Sequence, residues 1–180
     1  MDSFYSENEL ASLGLNCYGK NVLISRKASL YSPDKISIGS DVRIDDFCIL
    51  SGTINLGSFI HISAYCAIYG SMGVTINDYS GLSPRCTIFS AMDDFGGDYL
   101  INPMVDQRFT NVTGGKVILE KYVQVGSGSI VFPNVCIKTG TVVGCLSLVN
   151  KSIDSWGIYA GIPAIRIKER SKKLLNLGYD

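Results

Sequence analysis

His61 is the only histidine in the 180-residue chain. An unperturbed imidazole titrates near neutral pH, so this is the side chain best suited to take a proton as a general base. Asp93 and Asp94 form an adjacent carboxylate pair at the start of a stretch without regular patterning. Such a pair holds and orients an amine or hydroxyl acceptor. Each group also has a plainer reading. His61 is equally placed to be a surface or interface histidine, lying against Tyr65 or a second copy of the chain, and Asp is common where strands turn. The six cysteines form no CxxC pair, and one histidine is too few for a histidine-built zinc centre. The chemistry expected is proton transfer and charge placement without a metal.

The elements that must position these groups follow from an internal repeat. An aliphatic residue recurs every six positions: Ile38, Ile44, Leu50, Leu56, Ile62 and Ile68, then Ile76, Leu82 and Ile88 after a two-residue slip. A third block runs Leu119, Val125, Val131, Ile137, Val143, Val149, and Ile24 with Leu30 add an earlier pair. Four positions after most of these stands a small or aliphatic residue, among them Cys48, Cys66, Cys86, Ser129, Thr141 and Ser147. A helix repeats near 3.6 residues and a simple strand near two, and neither fits. A sustained period of six is the signature of an all-β fold, a parallel β-helix of hexapeptide repeats. Three strands make one coil, and both recurring positions point into a narrow prism. Cys48, Cys66 and Cys86 are then packing residues, since a free cysteine behaves as a small hydrophobe.

Around the prism, three parts break the pattern. Residues 1–20 carry Ser6 and Glu9 at capping-box spacing and predict a short helix ending near Gly14. The β-helix spans 21–156 and is interrupted by a long loop, 93–116, of the length that usually carries function. Residues 157–180 close the domain, with 165–177 predicted as a short amphipathic helix stopped by Gly178. Acidic and basic residues balance at 16 each. No broad cationic field exists to gather nucleic acid or an anionic membrane. No stretch resembles a signal peptide or a membrane span, so the expected location is cytoplasmic.

The segment Gly157-Ile-Tyr-Ala-Gly161-Ile-Pro163-Ala-Ile-Arg166-Ile-Lys168 resembles the closing motif of the hexapeptide-repeat acyltransferases, with Ile165 where that family usually has Lys or Arg. The stretches Val42–Gly52, His61–Ala67 and Asp93-Asp94-Phe95 are similar to acyltransferases acting on nucleotide-linked 4-amino-4,6-dideoxysugars, and to galactoside O-acetyltransferases. The resemblance implies a left-handed prism, a homotrimer with sites between adjacent prisms, and acetyl-CoA or another short acyl-CoA as donor. By the same resemblance, Gly126, Ser127, Gly144, Cys145, Gly161, Pro163 and Ala164 line the pantetheine groove, and Arg166 and Lys168 serve the CoA phosphates. Turn sterics alone also favour small residues at such corners. The expected acceptor is the amine of a nucleotide-linked amino sugar used for surface polysaccharide synthesis. A sugar hydroxyl is the alternative.

Counting the register puts His61 and Asp93 after strands on different faces of the prism. If they serve one site, they meet across a subunit boundary. Tyr65, Tyr69 and Tyr79 either stack on a nucleotide base or cover the prism.

Overall fold

A computed structural model describes residues 3–178. The first two residues of the expected 1–20 segment and the last two of 157–180 lie outside that range. The chain winds into a parallel β-solenoid of about seven turns. Its first face stacks Val22–Ile24, Val42–Ile44, Ile60–Ile62, Gly81–Leu82, Gln124–Val125, Val142–Val143 and Gly157–Ala160 in parallel register. The second stacks Ser29–Tyr31 on Ile49 to Ser51, then Ala67 to Tyr69, Thr87–Phe89, Ile130–Val131 and Leu148–Val149. The third stacks Cys17–Tyr18, Ile36–Ile38, Ile54 to Leu56, Val74 to Ile76, Val117–Leu119 and Cys136–Ile137.

The six-residue series is the core. Every member from Ile38 to Val149 is buried, as are the small inward residues Cys48, Cys66, Cys86, Ser129, Thr141 and Ser147. The inward hydroxyls are satisfied by the backbone: Ser129 Oγ donates to Gly144 O at 2.9 Å and Thr141 Oγ1 to Asp154 O at 2.8 Å. Burial pushes the Cys48 thiol up to about 12, which keeps it a protonated packing group. Cys66 is likewise raised, by the adjoining Cys86 thiol and by burial.

Two prism edges turn through residues in the left-handed region. Phe59, Tyr79, Tyr122 and Trp156 do so on the edge between the third and first faces; Phe47, Tyr65, Arg85 and Leu146 do so between the first and second. A side chain at positive φ costs roughly 1–3 kcal/mol. The stacking of successive rings offsets part of that: Phe59 on Tyr79 at 4.7 Å, and Tyr79 on Tyr122 at 5.2 Å. Gly140 occupies the same edge because a Cβ there would meet the Trp156 ring at 2.5 Å.

Both ends of the prism are closed by antiparallel segments. At the start, helix Glu7–Ser12 has Ser6 as its cap, whose N–H donates to the Glu9 carboxylate at 2.8 Å. Leu10 is buried, and Phe4 bridges antiparallel to Ser25. At the finish, Ile165–Glu169 pairs antiparallel with Gly157–Ala160. The helix expected over 165–177 therefore shrinks to one 3-10 turn, Lys173–Asn176. The reason is local: Ile165 and Ile167 alternate with charged residues at the strand period of two, and the Gly157–Ala160 strand leaves a free edge for them to join.

Candidate active site

The long excursion leaves the prism at the edge between the second and third faces. Its base is a short ladder in which Ala91–Asp93 pairs antiparallel with Val112–Gly114. That approach needs glycine at position 114, where a Cβ would lie 2.3 Å from Ser90 O. A polar anchor, Ser90 Oγ, accepts from Met72 N at 2.8 Å and donates to Tyr69 O at 3.0 Å. The ladder fixes Asp93 at the mouth of the loop.

The carboxylate pair splits into two environments. Asp94 is used by the loop itself: its Oδ1 accepts from Gly96 N at 2.7 Å and its Oδ2 from Asn111 Nδ2 at 3.1 Å. Among the described residues the Asp93 carboxylate has neither a hydrogen bond nor an ion pair. It stands between two recesses. One, of about 410 Å³, is of mixed character, lined by Ser71, Asn102, Gln107 and Thr110 and by Met92, Pro103, Val105 and Val112. The other, of about 330 Å³, is walled by Phe89, Phe95 and Phe132. A half-exposed carboxylate without a partner is equipped to accept hydrogen bonds from a cationic or neutral amine.

His61 lies elsewhere, facing outward on the first face. Its Nε2 is 2.7 Å from Asp45 Oδ2, and Arg43 Nε donates to Asp45 Oδ1 at 2.7 Å. Burial by itself would raise the Asp45 carboxyl. Hydrogen bonds from His61 and Arg43 outweigh that and hold it below the ordinary carboxylate range. A carboxylate fixing one ring nitrogen of an imidazole is the arrangement that orients a base. Asp45 was not singled out from the sequence. The signal was present: Arg43 is the register partner of His61, and Asp45 is the next outward residue after Arg43.

As the register count implied, His61 and Asp93 sit on different parts of the prism, and within one chain they do not meet. The small residues do come together. Gly126 and Gly144 stack on the edge between the first and second faces, where a Cβ on Gly126 would lie 2.6 Å from Cys145 N. Leu146 N donates to Ser127 O at 2.9 Å, and Gly161 N donates to Ser147 Oγ at 3.0 Å. Ala164 N reaches Leu148 O at 2.8 Å, following the cis Ile162-Pro163 bond. This edge is a strip of small residues stacked coil on coil, with Cys145 exposed on it. Arg166 and Lys168 lie on the adjoining antiparallel strand, where Arg166 Nη2 donates to Glu169 Oε1 at 2.6 Å. The three tyrosines are engaged within the prism: Tyr65 stacks on Phe47, Tyr69 on Phe89, and Tyr79 on Phe59. Among the described residues no group of three His, Cys, Asp or Glu is gathered as a metal site.

A dTDP-4-amino-4,6-dideoxy-D-glucose acyltransferase from Escherichia coli is 44% identical over 178 residues, covering 97% of this chain and 93% of the relative. The chain belongs to the dTDP-4-amino-4,6-dideoxyglucose acyltransferase family. The solved structure of AntD, an N-acyltransferase from Bacillus cereus, in complex with dTDP and 3-hydroxybutyryl-CoA, is 50% identical and superposes with a TM-score of 0.96. That match covers 98% of this chain and 95% of AntD. A variant of AntD holding dTDP-4-amino-4,6-dideoxyglucose and coenzyme A superposes equally, at 49% identity. A hexapeptide-repeat acetyltransferase from Vibrio cholerae shares the fold at 17% identity, with a TM-score of 0.62 over 93% of this chain and 82% of its own. The fold is thus the left-handed parallel β-helix of that class, and the protein is an acyltransferase. No protein-family model matches the chain.

Proposed function

We propose that the protein transfers a short acyl group from an acyl-CoA to the 4-amino group of a dTDP-linked 4-amino-4,6-dideoxyglucose. The observation that carries this is the near full-length match to AntD, whose structures hold those two ligands. The amine nitrogen attacks the thioester carbonyl, the new C–N bond forms, the C–S bond breaks, and the departing thiolate takes the proton lost by nitrogen. Asp93 positions the amine by accepting its N–H, which supplies proximity and orientation. The strip from Gly126 to Ala164 receives the pantetheine arm through backbone hydrogen bonds, and Arg166 and Lys168 face the CoA phosphates.

The reading extends to a homotrimer in which His61 of one prism approaches Asp93 of the next. It also places the enzyme in the cytoplasm, feeding surface polysaccharide synthesis. The assembly is tested by light scattering, with a mass near three times 19.5 kDa expected. A second reading, O-acylation of a sugar hydroxyl, draws on the Asp45–His61 pair, because a hydroxyl needs a base more than an amine does. Thiol release from acetyl-CoA and butyryl-CoA, measured with the dTDP-amino sugar, its UDP counterpart and a galactoside, separates the readings. Release with the dTDP-amino sugar alone is expected. Release with the galactoside alone would transfer the assignment to the hydroxyl.

A further inference from the structure

We infer that the edge between the third and first faces carries a further binding site, for a small oxyanion borne on an apolar body. This is the prism edge that holds neither the loop with Asp93 nor the strip of stacked glycines. A recess of about 390 Å³ opens on it. Tyr79 and Tyr122 of the aromatic ladder line one side, and Leu174, Leu175, Leu177 and Gly178 of the tail line the other. Arg170 is its only charged residue. The volume is at the small end of ligand sites. Leu175 is 50% exposed and Leu177 76%, so an apolar body seated between them and the tyrosines would remove leucine surface from water.

Arg170 supplies the demand for an anion. Its Nη1 donates to Tyr122 O at 2.6 Å and to Gly140 O at 3.0 Å, and its backbone N–H donates to Trp156 O at 2.8 Å. These bonds fix the guanidinium against the edge. Nε and Nη2 have no hydrogen-bond partner among the described residues, and no carboxylate there lies within ion-pair distance. The carboxylates beside the ladder and the tail are engaged elsewhere, Asp78 by Lys121 at 3.0 Å and Glu169 by Arg166 at 2.6 Å. Burial draws the guanidinium pKa downward, as for a cation partly stripped of water and left without a counter-ion. Nε and Nη2 point their hydrogens in parallel, the fork that grips two oxygens of a carboxylate or phosphate.

The test titrates the full chain with the fluorescent dye anilinonaphthalene sulfonate, whose sulfonate stands in for the oxyanion, and with its uncharged parent, phenylnaphthylamine. The sulfonate dye is expected to bind about tenfold more tightly, because its hydrogen bonds come from a charged donor. Leu175→Asp sets a carboxylate at the exposed rim and should weaken the sulfonate dye about fivefold. Leu175→Asn, of the same shape without the charge, should weaken it less than about twofold. Arg170→Gln should bring the two dyes to equal affinity, with a thermal melt to check that the tail stays seated. Phenyl phosphate and benzoate should displace the dye, and the stronger competitor names the oxyanion. Equal affinity for the two dyes in the unaltered protein, equal effects of Leu175→Asp and Leu175→Asn, or displacement by uncharged phenol as effective as by phenyl phosphate would overturn the site. None of these outcomes depends on acyl transfer.

Discussion

Asp45 grips His61 from one coil earlier, through a 2.7 Å contact between Oδ2 and Nε2, while its other oxygen accepts from Arg43. The pair is a oriented base if the acceptor is a hydroxyl, and a surface fixture if the acceptor is an amine. With the dTDP-amino sugar, His61→Ala should lower kcat/KM by less than about tenfold, because the thiolate can take the proton. A loss on the order of a thousandfold, matched by Asp45→Asn, would assign proton abstraction to the imidazole.

Asp93 and Asp94 should respond oppositely to substitution. Asp93→Asn should cut kcat/KM for the amino sugar on the order of a hundredfold, with KM for acyl-CoA changed less than about twofold. Asp94→Ala removes two loop hydrogen bonds and should cost about 1–2 kcal/mol of stability. Steady-state kinetics and a thermal melt on each variant distinguish the two roles.

Cysteine labelling reports on the prism interior. Cys17 and Cys145 are exposed, whereas Cys48, Cys66 and Cys86 are buried. At pH 8 the two exposed thiols should react with an aromatic disulfide reagent within minutes. The three inner ones should react only after denaturation. Prompt reaction of an inner thiol in the folded protein would mean that the coils open.

Acid should destabilise the fold through its carboxylates. Glu9 is lowered to about 2 by hydrogen bonds from Arg26 and Ser6. Asp78 is lowered by Ser58 N–H and Lys121, and Glu120 by the Thr139 hydroxyl and N–H. A carboxylate lowered in the folded state binds fewer protons there than when unfolded, so it stabilises above its unfolded value and ceases to as pH falls through its folded one. The melting temperature should decline from about pH 4.5 down toward pH 2, and be flat with respect to these groups above that window.

Core packing sets the remaining expectation. Ile68 is fully buried, and Ile68→Ala should cost about 2–5 kcal/mol in denaturant unfolding. Ile130 faces outward and is 37% exposed, so Ile130→Ala should cost less than about 1 kcal/mol.

The prism was legible because its interior admits an aliphatic residue every six positions and a small or aliphatic one four further on. Ile44, Leu50, Ile62 and Val125 announce their burial by period alone. The edge glycines were legible for the same steric reason. The tail was misread from 165 to 169 because a short run of isoleucine and basic residues suits both a helix and a strand. The available edge at Gly157–Ala160 decided between them, and that edge is a tertiary fact. Asp45 was missed because its importance lies in register across coils. The two recesses beside Asp93 were beyond reach, since a 24-residue loop without periodicity gives no hint of which side chains it folds against one another.

The antiparallel segments at the two ends carry a consequence for solubility. A stack of parallel coils has no intrinsic last rung: each open end exposes unpaired N–H and C=O groups to another molecule. Phe4 at one end, and Ile165–Glu169 at the other, run against the direction that further coils would need. They work as terminators, fixing the particle at a finite length and keeping identical molecules from polymerising end to end into fibres.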